Sequence, residues 1–240
     1  MVEGHSVHRI AASFRRRLVG RKFAATSPNG RFTEGAKAIH NKEFARIEAV
    51  GKNLFAFFGA TGGPDAVVVH VHFGMSGAWA VHAGAEPPTT PTTRLRLEGG
   101  GLVAHLSAMT VQHGGVADLY EAKRAGLGED PLRADADPDR LWARVAASKK
   151  SIGALIMDQS YFTGPGNIYR AEMLFVAGVH PEVEGRALDR ASFDRVWRAG
   201  VALLGRGYDE GSIVTVDAAA DPAAARAGHR RYVYLSLIHI

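Results

Sequence analysis

The stretch that decides the fold is a glycine-rich turn followed by a helical pattern at residues 164–172. It reads Gly164-Pro165-Gly166-Asn167-Ile168-Tyr169-Arg170-Ala171-Glu172. The glycines permit backbone angles that other residues avoid, and Asn167 is a favourable N-cap, so the pattern predicts a helix that starts there. Exposed backbone amides at the start of a helix can bind phosphate groups. An ordinary capped connection between two helices explains the same residues, so this stretch alone leaves both interpretations open.

The second informative stretch is the amino terminus, which reads Met1-Val2-Glu3. Removal of the methionine would expose the α-amine of Val2, whose reference pKa of about 7.7–8.0 leaves a useful fraction neutral near pH 7. A neutral amine beside a carboxylic acid can carry out covalent chemistry on an aldehyde or on a sugar C1′. The alternative is that Glu3 is only a favourable carboxylate in the first turn of a helix.

The composition limits the class of protein. The 240 residues include 29 basic and 24 acidic ones, for a net charge of +5, and no cysteine. The basic surplus favours a polyanionic partner without identifying one, and the lack of cysteine excludes disulfides, a thiol nucleophile and a cysteine zinc site. No apolar run approaches the roughly 18 residues of a membrane span. Because the amino terminus also lacks an apolar signal region, we expect a cytoplasmic protein.

The pattern of apolar residues predicts a β-rich half followed by a helical half. Residues 3–19 fit an amphipathic helix, and from Lys22 to about Leu119 short apolar runs between turn residues indicate strands. The clearest of these are buried strands at 54–58 and 67–73 and a hairpin at 94–106. A charge-rich stretch at 121–138 marks the domain boundary. Helices are expected beyond it, at about 138–148, 149–159, 167–178 and 189–205.

Other positions carry candidate chemistry. Lys52 lies in a predicted turn, where its ammonium group can contact a DNA phosphate, although a solvated hairpin lysine is the common case. Met75 stands between glycines, where an exposed apolar side chain can wedge into a duplex or a buried one can pack in the core. His70 and His72 share one face of a predicted strand. We reject a metal site there because no third ligand has a matching spacing, and expect hydrogen-bonded histidines instead.

Several further motifs occur in a fixed order along the chain. They are Val2-Glu3-Gly4-His5, Ser27-Pro28-Asn29-Gly30-Arg31-Phe32, Gly51-Lys52-Asn53-Leu54-Phe55, His72-Phe73-Gly74-Met75-Ser76-Gly77, Gly128-Glu129-Asp130-Pro131-Leu132, and Met157-Asp158-Gln159 through Gly178-Val179-His180-Pro181. With these motifs the chain resembles the formamidopyrimidine-DNA glycosylase and endonuclease VIII family over roughly residues 1–234. It is most similar to the actinobacterial endonuclease VIII-like branch. The order and spacing favour the functional interpretation of Glu3, Lys52 and Asn167.

The resemblance implies both a fold and a chemistry. The fold is α+β in two domains, an N-terminal two-layer β-sandwich with an N-terminal helix, followed by a helical helix–two-turn–helix domain. The activity is that of a bifunctional DNA glycosylase and AP lyase in base-excision repair, which flips an oxidised base out of duplex DNA. By this resemblance the Val2 amine attacks C1′ and forms a Schiff base. Glu3 donates a proton as the sugar opens.

The resemblance also implies how DNA is held. Lys52 would hold a phosphate near the lesion and support catalysis, while Gly166 and Asn167 would grip the backbone. Met75 would fill the space that the flipped nucleotide leaves. The implied partner is damaged double-stranded DNA in the bacterial nucleoid, bound by a monomer without a membrane. No cofactor or metal is expected in this chain, because the zinc of the family belongs to a C-terminal finger.

The chain departs from the family at both ends. The family amine is usually a proline, which gives a permanently charged iminium, whereas Val2 is a primary amine whose imine must be protonated to act as an electron sink. We therefore expect a slower or more pH-dependent lyase step. After Tyr234 the family continues into a zinc finger or a zinc-less equivalent, but residues 235–240 here read Leu-Ser-Leu-Ile-His-Ile. We expect these residues to be a non-native tail on a chain that lacks the finger, and expect weak DNA binding and poor turnover as a result.

The expected domains are a catalytic β-sandwich at 1–122, a linker at 123–138 and a helix–two-turn–helix domain at 139–234, before the tail at 235–240. The principal alternative function is a non-catalytic or inactive, truncated protein that binds damaged DNA. An unrelated structural β/α protein is the least favoured class.

Overall fold

The chain forms two compact units. The computed structural model describes residues 2–60, 63, 65–84 and 86–234, so the predicted tail at 235–240 lies outside the described residues. One unit consists of Val2 and Ile10–Gly126, and the other of Glu3–Arg9 together with the residues from Leu127 onwards. In the part of the chain that is described, no helix is long and apolar enough to cross a membrane. The domain limits predicted above stay a prediction.

Two four-stranded antiparallel sheets make up most of the first unit. Their strands are β1 (Ala24–Thr26), β2 (Phe44–Val50), β3 (Asn53–Phe58), β4 (Val67–His72), β5 (Ala78–Ala83), β6 (Leu95–Gly99), β7 (Leu102–Ser107) and β8 (Thr110–Gly114). One sheet has the order β1-β6-β7-β5 and the other β2-β3-β4-β8. The two predicted buried strands and the predicted hairpin are confirmed as β3, β4 and β6–β7.

The strand β3 shows why this sequence forms a sandwich. Its residues 54–58, Leu-Phe-Ala-Phe-Phe, are all buried, so both faces of the strand are covered. A continuous apolar run of this length has no solvent face, and it is stable only in the interior of a packed domain. The surrounding strands β2 and β4 pair with it on either side over its whole length.

The amino-terminal helix α1 spans Gly4–Arg17, close to its predicted limits. Val7, Phe14 and Leu18 are buried along one stripe. Arginines at 15, 16 and 17 occupy its last turn, where positive charge complements the helix dipole. Its first residues, up to Arg9, belong to the second unit, and the rest of the helix belongs to the first.

The second unit is helical. After its residues from α1 come α4 (Pro138–Ala146), α5 (Ile152–Met157), α6 (Asn167–Ala177), α7 (Arg190–Glu210) and α8 (Pro222–Arg226). Its core includes Leu155, Phe162, Tyr169 and Phe193, none of which is exposed. The helix α7 runs five residues beyond its predicted end at 205. It stops at Gly211, which adopts φ 72° as a left-handed C-cap.

The predicted α+β architecture is confirmed, but short helices differ from the prediction. The helix α2 (Thr33–Ile39) lies inside the region read as strands, and α3 (Ala122–Ala125) follows a π-helical turn at Val116–Glu121. Each has too few residues for a helical period to stand out from its surroundings. Buried contacts rather than periodicity select α2, whose Ala36 and Ile39 face the core.

Candidate active site

The carboxylate of Glu3 is buried at the start of α6. Its Oε2 atom accepts a hydrogen bond from the backbone N–H of Gly166 at 2.6 Å, and Oε1 accepts one from Ile168 at 3.2 Å. The side chain has no exposed surface. Amides at a helix N-terminus carry partial positive charge, so they stabilise the anion. Glu3 thus contacts the N-terminus of α6, a partner that the sequence did not suggest.

A close approach of two backbones creates this position. The N–H of Gly4 donates to the carbonyl of Gly164 at 3.0 Å. A Cβ atom at Gly4 would lie 2.9 Å from the Cα of Gly164, which is closer than a side chain tolerates. The side chain of Gln159 holds the same loop, since its Oε1 accepts from the N–H of Gly164 and its Nε2 donates to the carbonyl of Pro165, both at 3.0 Å. The glycines therefore bring α1 and α6 together.

The cap of α6 differs from the prediction. Gly166 is the N-cap, with extended backbone angles, and Asn167 is the first helical residue, so the predicted cap at Asn167 is wrong. A glycine cap has no side-chain acceptor. Glu3 supplies the acceptor from a segment 163 residues earlier, which sequence-local capping rules do not anticipate. Asn167 is half-buried, and the DNA-binding roles of Gly166 and Asn167 stay predictions.

The candidate nucleophile precedes this carboxylate in the chain. Val2 is half-buried, and one peptide bond links it to Glu3. Its amine would thus be a near covalent neighbour of the acid after methionine removal. The structure brings Glu3, Gly166 and Asn167 together, while the catalytic role of Val2 stays a prediction.

Lys52 lies at the tip of a two-residue hairpin in the first unit. Val50 of β2 pairs with Asn53 of β3 across this turn. Gly51 adopts φ 58°, a conformation that glycine takes at little cost. The predicted turn is confirmed and Lys52 is half-buried at it, but its contact with phosphate stays a prediction.

Met75 is exposed on a tight turn of the first unit. Its side chain is 75% exposed, so the core-packing alternative is wrong. Gly74 adopts φ 71°, and the N–H of Gly77 donates to the carbonyl of Phe73 at 3.2 Å, which closes the turn. The turn borders a cleft of about 570 Å³. An exposed thioether at the edge of a cleft is suited to insertion between bases.

Comparisons with known proteins identify the family. A family model for the formamidopyrimidine-DNA glycosylase N-terminal domain matches residues 1–108, and one for the formamidopyrimidine-DNA glycosylase H2TH domain matches residues 127–217. Endonuclease 8 1 of Mycobacterium tuberculosis strain H37Rv is 38% identical over 245 residues, which cover 98% of this chain and 88% of that protein. The chain belongs to the formamidopyrimidine-DNA glycosylase and endonuclease VIII family.

Other members of the family are similar over shorter stretches or in fold. Formamidopyrimidine-DNA glycosylase of Bacillus cereus strain ATCC 10987 is 29% identical over 151 residues, 60% of this chain and 54% of that protein. A complex of Lactococcus lactis Fpg with DNA that contains an abasic site has a TM-score of 0.75 at 21% identity, covering 88% of this chain and 80% of that one. A MutM complex with DNA carrying carbocyclic 8-oxo-G has a TM-score of 0.76 at 21% identity, covering 88% and 81%. The family fold is thus a β-sandwich followed by a helix–two-turn–helix domain.

Sequence reasoning missed Met109 as a candidate member of the site. It is 61% exposed and lines the same cleft as Met75. Its side chain packs on Gly74, where an added Cβ would come within 2.9 Å of the Cβ of Met109. Arg94 donates through Nη2 to the carbonyl of Met109 at 3.0 Å and so supports this loop. The available signal was an apolar residue just beyond the end of the predicted hairpin at 94–106.

Of the two histidines on β4, His70 has a hydrogen-bond partner on the neighbouring strand β3. His70 is buried, its Nε2 lies 2.9 Å from Oδ1 of Asn53, and burial lowers the pKa of His70 to about 4. Among the described residues no group of three His, Asp or Glu side chains is arranged to hold a metal ion.

Proposed function

We propose that this protein is a base-excision-repair DNA glycosylase with AP lyase activity, in which Val2 is the nucleophile and Glu3 the proton donor. Formamidopyrimidine-DNA glycosylases and endonuclease VIII proteins are DNA glycosylases and AP lyases, and this chain is one of that family. The observation that carries the assignment of the acid is the burial of the Glu3 carboxylate on the amides that begin α6. Glu3 directly follows Val2 in the chain, so the proposed acid and the proposed nucleophile are adjacent residues.

The chemistry follows from these two groups. The neutral amine of Val2 attacks C1′ of the damaged nucleotide, the bond from C1′ to the base breaks, and the base leaves with a proton. Glu3 gives its proton to the ring oxygen as the bond from C1′ to that oxygen breaks and the sugar opens, and the product is a protonated imine between Val2 and C1′. The amides of α6 favour the ionised carboxylate, whereas burial and approaching DNA phosphates favour the protonated one. The approach of DNA phosphates would therefore favour protonation of Glu3, so that the acid has a proton to donate once DNA is bound.

The imine then serves the lyase step. Loss of a proton from C2′ and departure of the 3′ phosphate cleave the strand, with the protonated imine as the electron sink. Because Val2 is a primary amine, its protonated imine can lose the proton on nitrogen, and only the protonated form is an effective electron sink, so the lyase step depends on pH. The expected slower lyase step remains a prediction on this basis.

The same proposal assigns the contacts with DNA. Lys52 would hold a phosphate near the lesion, and Gly166 with Asn167 would contact the backbone at the start of α6. Met75, joined by Met109, would occupy the space of the flipped nucleotide, because two exposed thioethers border one cleft. The partner would be damaged duplex DNA in the bacterial nucleoid, bound by a cytoplasmic monomer.

The alternative is a non-catalytic protein that binds damaged DNA. The observation in its support is that Val2 supplies a primary amine where the family usually has a proline. Intact mass of the protein from cells tests the first requirement of an enzyme, since a Schiff base needs Val2 at the mature amino terminus. Quantitative retention of Met1 would remove the proposed nucleophile. Borohydride trapping on an abasic duplex then tests the covalent step. DNA binding without any trapped complex would support the non-catalytic alternative.

The decisive variant is Glu3→Gln. We expect base release from oxidised duplex DNA to fall by about 10²–10⁴-fold, the usual contribution of a general acid. Cleavage at a pre-formed abasic site should fall much less, because an aldehyde already reacts with amines. Glu34→Gln is the matched control, since Glu34 is exposed on α2 and pairs only with Lys37 among the partners seen. Equal loss of both activities in Glu3→Gln would contradict this division of roles.

A further inference from the structure

Two buried polar atoms next to Glu3 have no partner in the part of the chain that is described. They are the hydroxyl of Tyr169 and Nδ1 of His5. Tyr169 follows Ile168, whose N–H holds the Glu3 carboxylate, and His5 is the second residue after Glu3. Both side chains are buried. Buried polar groups are nearly always hydrogen-bonded, so each of these atoms requires an explanation.

The two side chains meet at one point of α7. Their rings pack edge to face with centroids 5.4 Å apart. A Cβ atom at Gly207 would lie 2.1 Å from the Tyr169 hydroxyl and 3.1 Å from Cγ of His5. Only glycine fits at this position of the helix. Glycine inside a helix is unfavourable in itself, so its presence here reflects the space that the two polar side chains require.

The two unpartnered atoms are chemically complementary. Nε2 of His5 lies 3.0 Å from Oγ of Ser6. When Nε2 carries the proton and donates to Ser6, Nδ1 is a lone-pair acceptor. Burial lowers the pKa of His5 to about 4, so the ring is neutral near pH 7. Burial first, and then the charge of Glu3, raise the pKa of Tyr169, so its hydroxyl keeps the proton that it can donate.

We propose that Tyr169 and His5 are positioning residues for Glu3, joined by a hydrogen-bonded bridge from the Tyr169 hydroxyl through one water molecule to Nδ1 of His5. This bridge would join the first turn of α1 to the first turn of α6. Those two turns supply the Glu3 carboxylate and the two amides that hold it. The inference rests on the proposed function of Glu3, and it adds residues to which the motifs of the sequence gave no role.

The chain offers a sharp test at position 5. Asparagine places a carbonyl oxygen where Nδ1 of histidine lies, whereas glutamine reaches the position of Nε2. His5→Asn should therefore keep the acceptor for Tyr169, and His5→Gln should keep only the contact with Ser6. Tyr169→Phe removes the donor with almost no change of volume. Tyr208→Phe is the matched control, since Tyr208 is a half-buried tyrosine of α7 outside the site.

The measurements are the single-turnover rate of base release from an oxidised duplex, the rate of cleavage at a pre-formed abasic site, DNA affinity and the thermal midpoint. We expect Tyr169→Phe and His5→Gln each to slow base release about tenfold and abasic cleavage less than about twofold, with affinity and midpoint close to those of the parent. His5→Asn should recover most of the loss. The double variant Tyr169→Phe, His5→Gln should be no slower than either single one, because both remove the same bridge.

Other results would contradict the proposed connection between Tyr169 and His5. Base release at the parental rate in Tyr169→Phe, additive losses in the double variant, or equal rates for His5→Asn and His5→Gln would each exclude it. A loss of both activities with a lower thermal midpoint would mean a purely structural role. Failure of the proposed function is distinguishable, because the parent protein would then release no base at all, or Glu3→Gln would release it as fast as the parent.

Discussion

At the scale of single residues, Lys52 can be either a phosphate contact or a solvated hairpin lysine. We expect Lys52→Ala to weaken binding about equally across DNA sequences and to lower the slope of log affinity against log salt by about one unit, since a phosphate contact displaces a counterion. Fluorescence anisotropy at several salt concentrations measures both. Lys37→Ala is the matched control, because Lys37 is exposed and pairs with Glu34. An unchanged slope for Lys52→Ala would mean that Lys52 is a solvated hairpin lysine that makes no contact with phosphate.

The two exposed methionines give a second residue-scale prediction. We expect Met75→Ala and Met109→Ala each to slow base release from duplex DNA about tenfold, because the unstacked cavity costs a few kcal/mol when it is not filled. Cleavage of a single-stranded abasic substrate should hardly change, because a single strand has no paired and stacked duplex in which a vacated position must be filled. Met157→Ala serves as the control, with a methionine exposed in the second unit. Equal effects on the duplex and single-stranded substrates would mean that these side chains do not fill the space left by the flipped nucleotide.

The sequence could name some of these residues and not others, for a physical reason. Glu3 and Lys52 sit in motifs whose spacing is local, so the sequence identified them as candidates. Met109 and His5 are distinguished by exposure and by burial, which depend on what other segments place around them. Position 109 becomes significant only when Gly74 brings a second methionine beside it.

Among the elements, the close approach of α1 to the loop before α6 predicts that a side chain at position 4 destabilises the protein, whereas a side chain at an uncrowded helical glycine stabilises it. We expect Gly4→Ala to lower the free energy of unfolding by about 1–3 kcal/mol, because its Cβ meets backbone atoms of Gly164 that cannot easily move. Gly205→Ala on α7 meets nothing within 4 Å, so it should raise stability by up to about 1 kcal/mol. Urea unfolding measures both. A neutral Gly4→Ala would mean that the loop adjusts.

The elements themselves were predicted best where the apolar pattern was unambiguous. The helices α1 and α6 show a helical period over more than ten residues, the strands β3 and β4 are nearly continuous apolar runs, and their limits were close to those observed. The cap of α6 was not predictable, because its acceptor comes from Glu3, far away in the chain. The helix α2 was missed, since seven residues hold too few turns to show a period.

At the scale of the whole molecule, two buried histidines predict how stability depends on pH. Burial lowers the pKa of His5 and of His70 to about 4, below their ordinary value of 6.5. Both are neutral in folded and unfolded chains above pH 6.5, so no stability is lost there. Between pH 6.5 and 4 the unfolded chain gains protons that the folded chain refuses, and stability falls, by up to about 3 kcal/mol for each histidine.

Urea midpoints at pH 7.5 and pH 5 measure this loss. His70→Gln, which keeps an N–H donor for Oδ1 of Asn53, should flatten part of the decline relative to the parent. The carboxylate of Glu86 does not produce the same signal, because its pKa is lowered to about 2 by Arg96 and then His105, so its contribution is lost only below about pH 4.5. A midpoint that does not change from pH 7.5 to 5 would contradict the burial of the two imidazoles.

The division of α1 between the two units has a consequence for the order of synthesis. Residues Glu3–Arg9 leave the ribosome well before the rest of their unit, whose other residues begin at Leu127. The amide of Gly166 is made 163 residues after Glu3, which at roughly 5–20 residues per second corresponds to about 8–33 s of translation. Throughout that time the sheets can form while the acid has no site. The growing protein thus contains the Glu3 carboxylate early but can position it only after Gly166 and Ile168 have been made, so that a chain that stops before them holds the carboxylate without the amides that bind it.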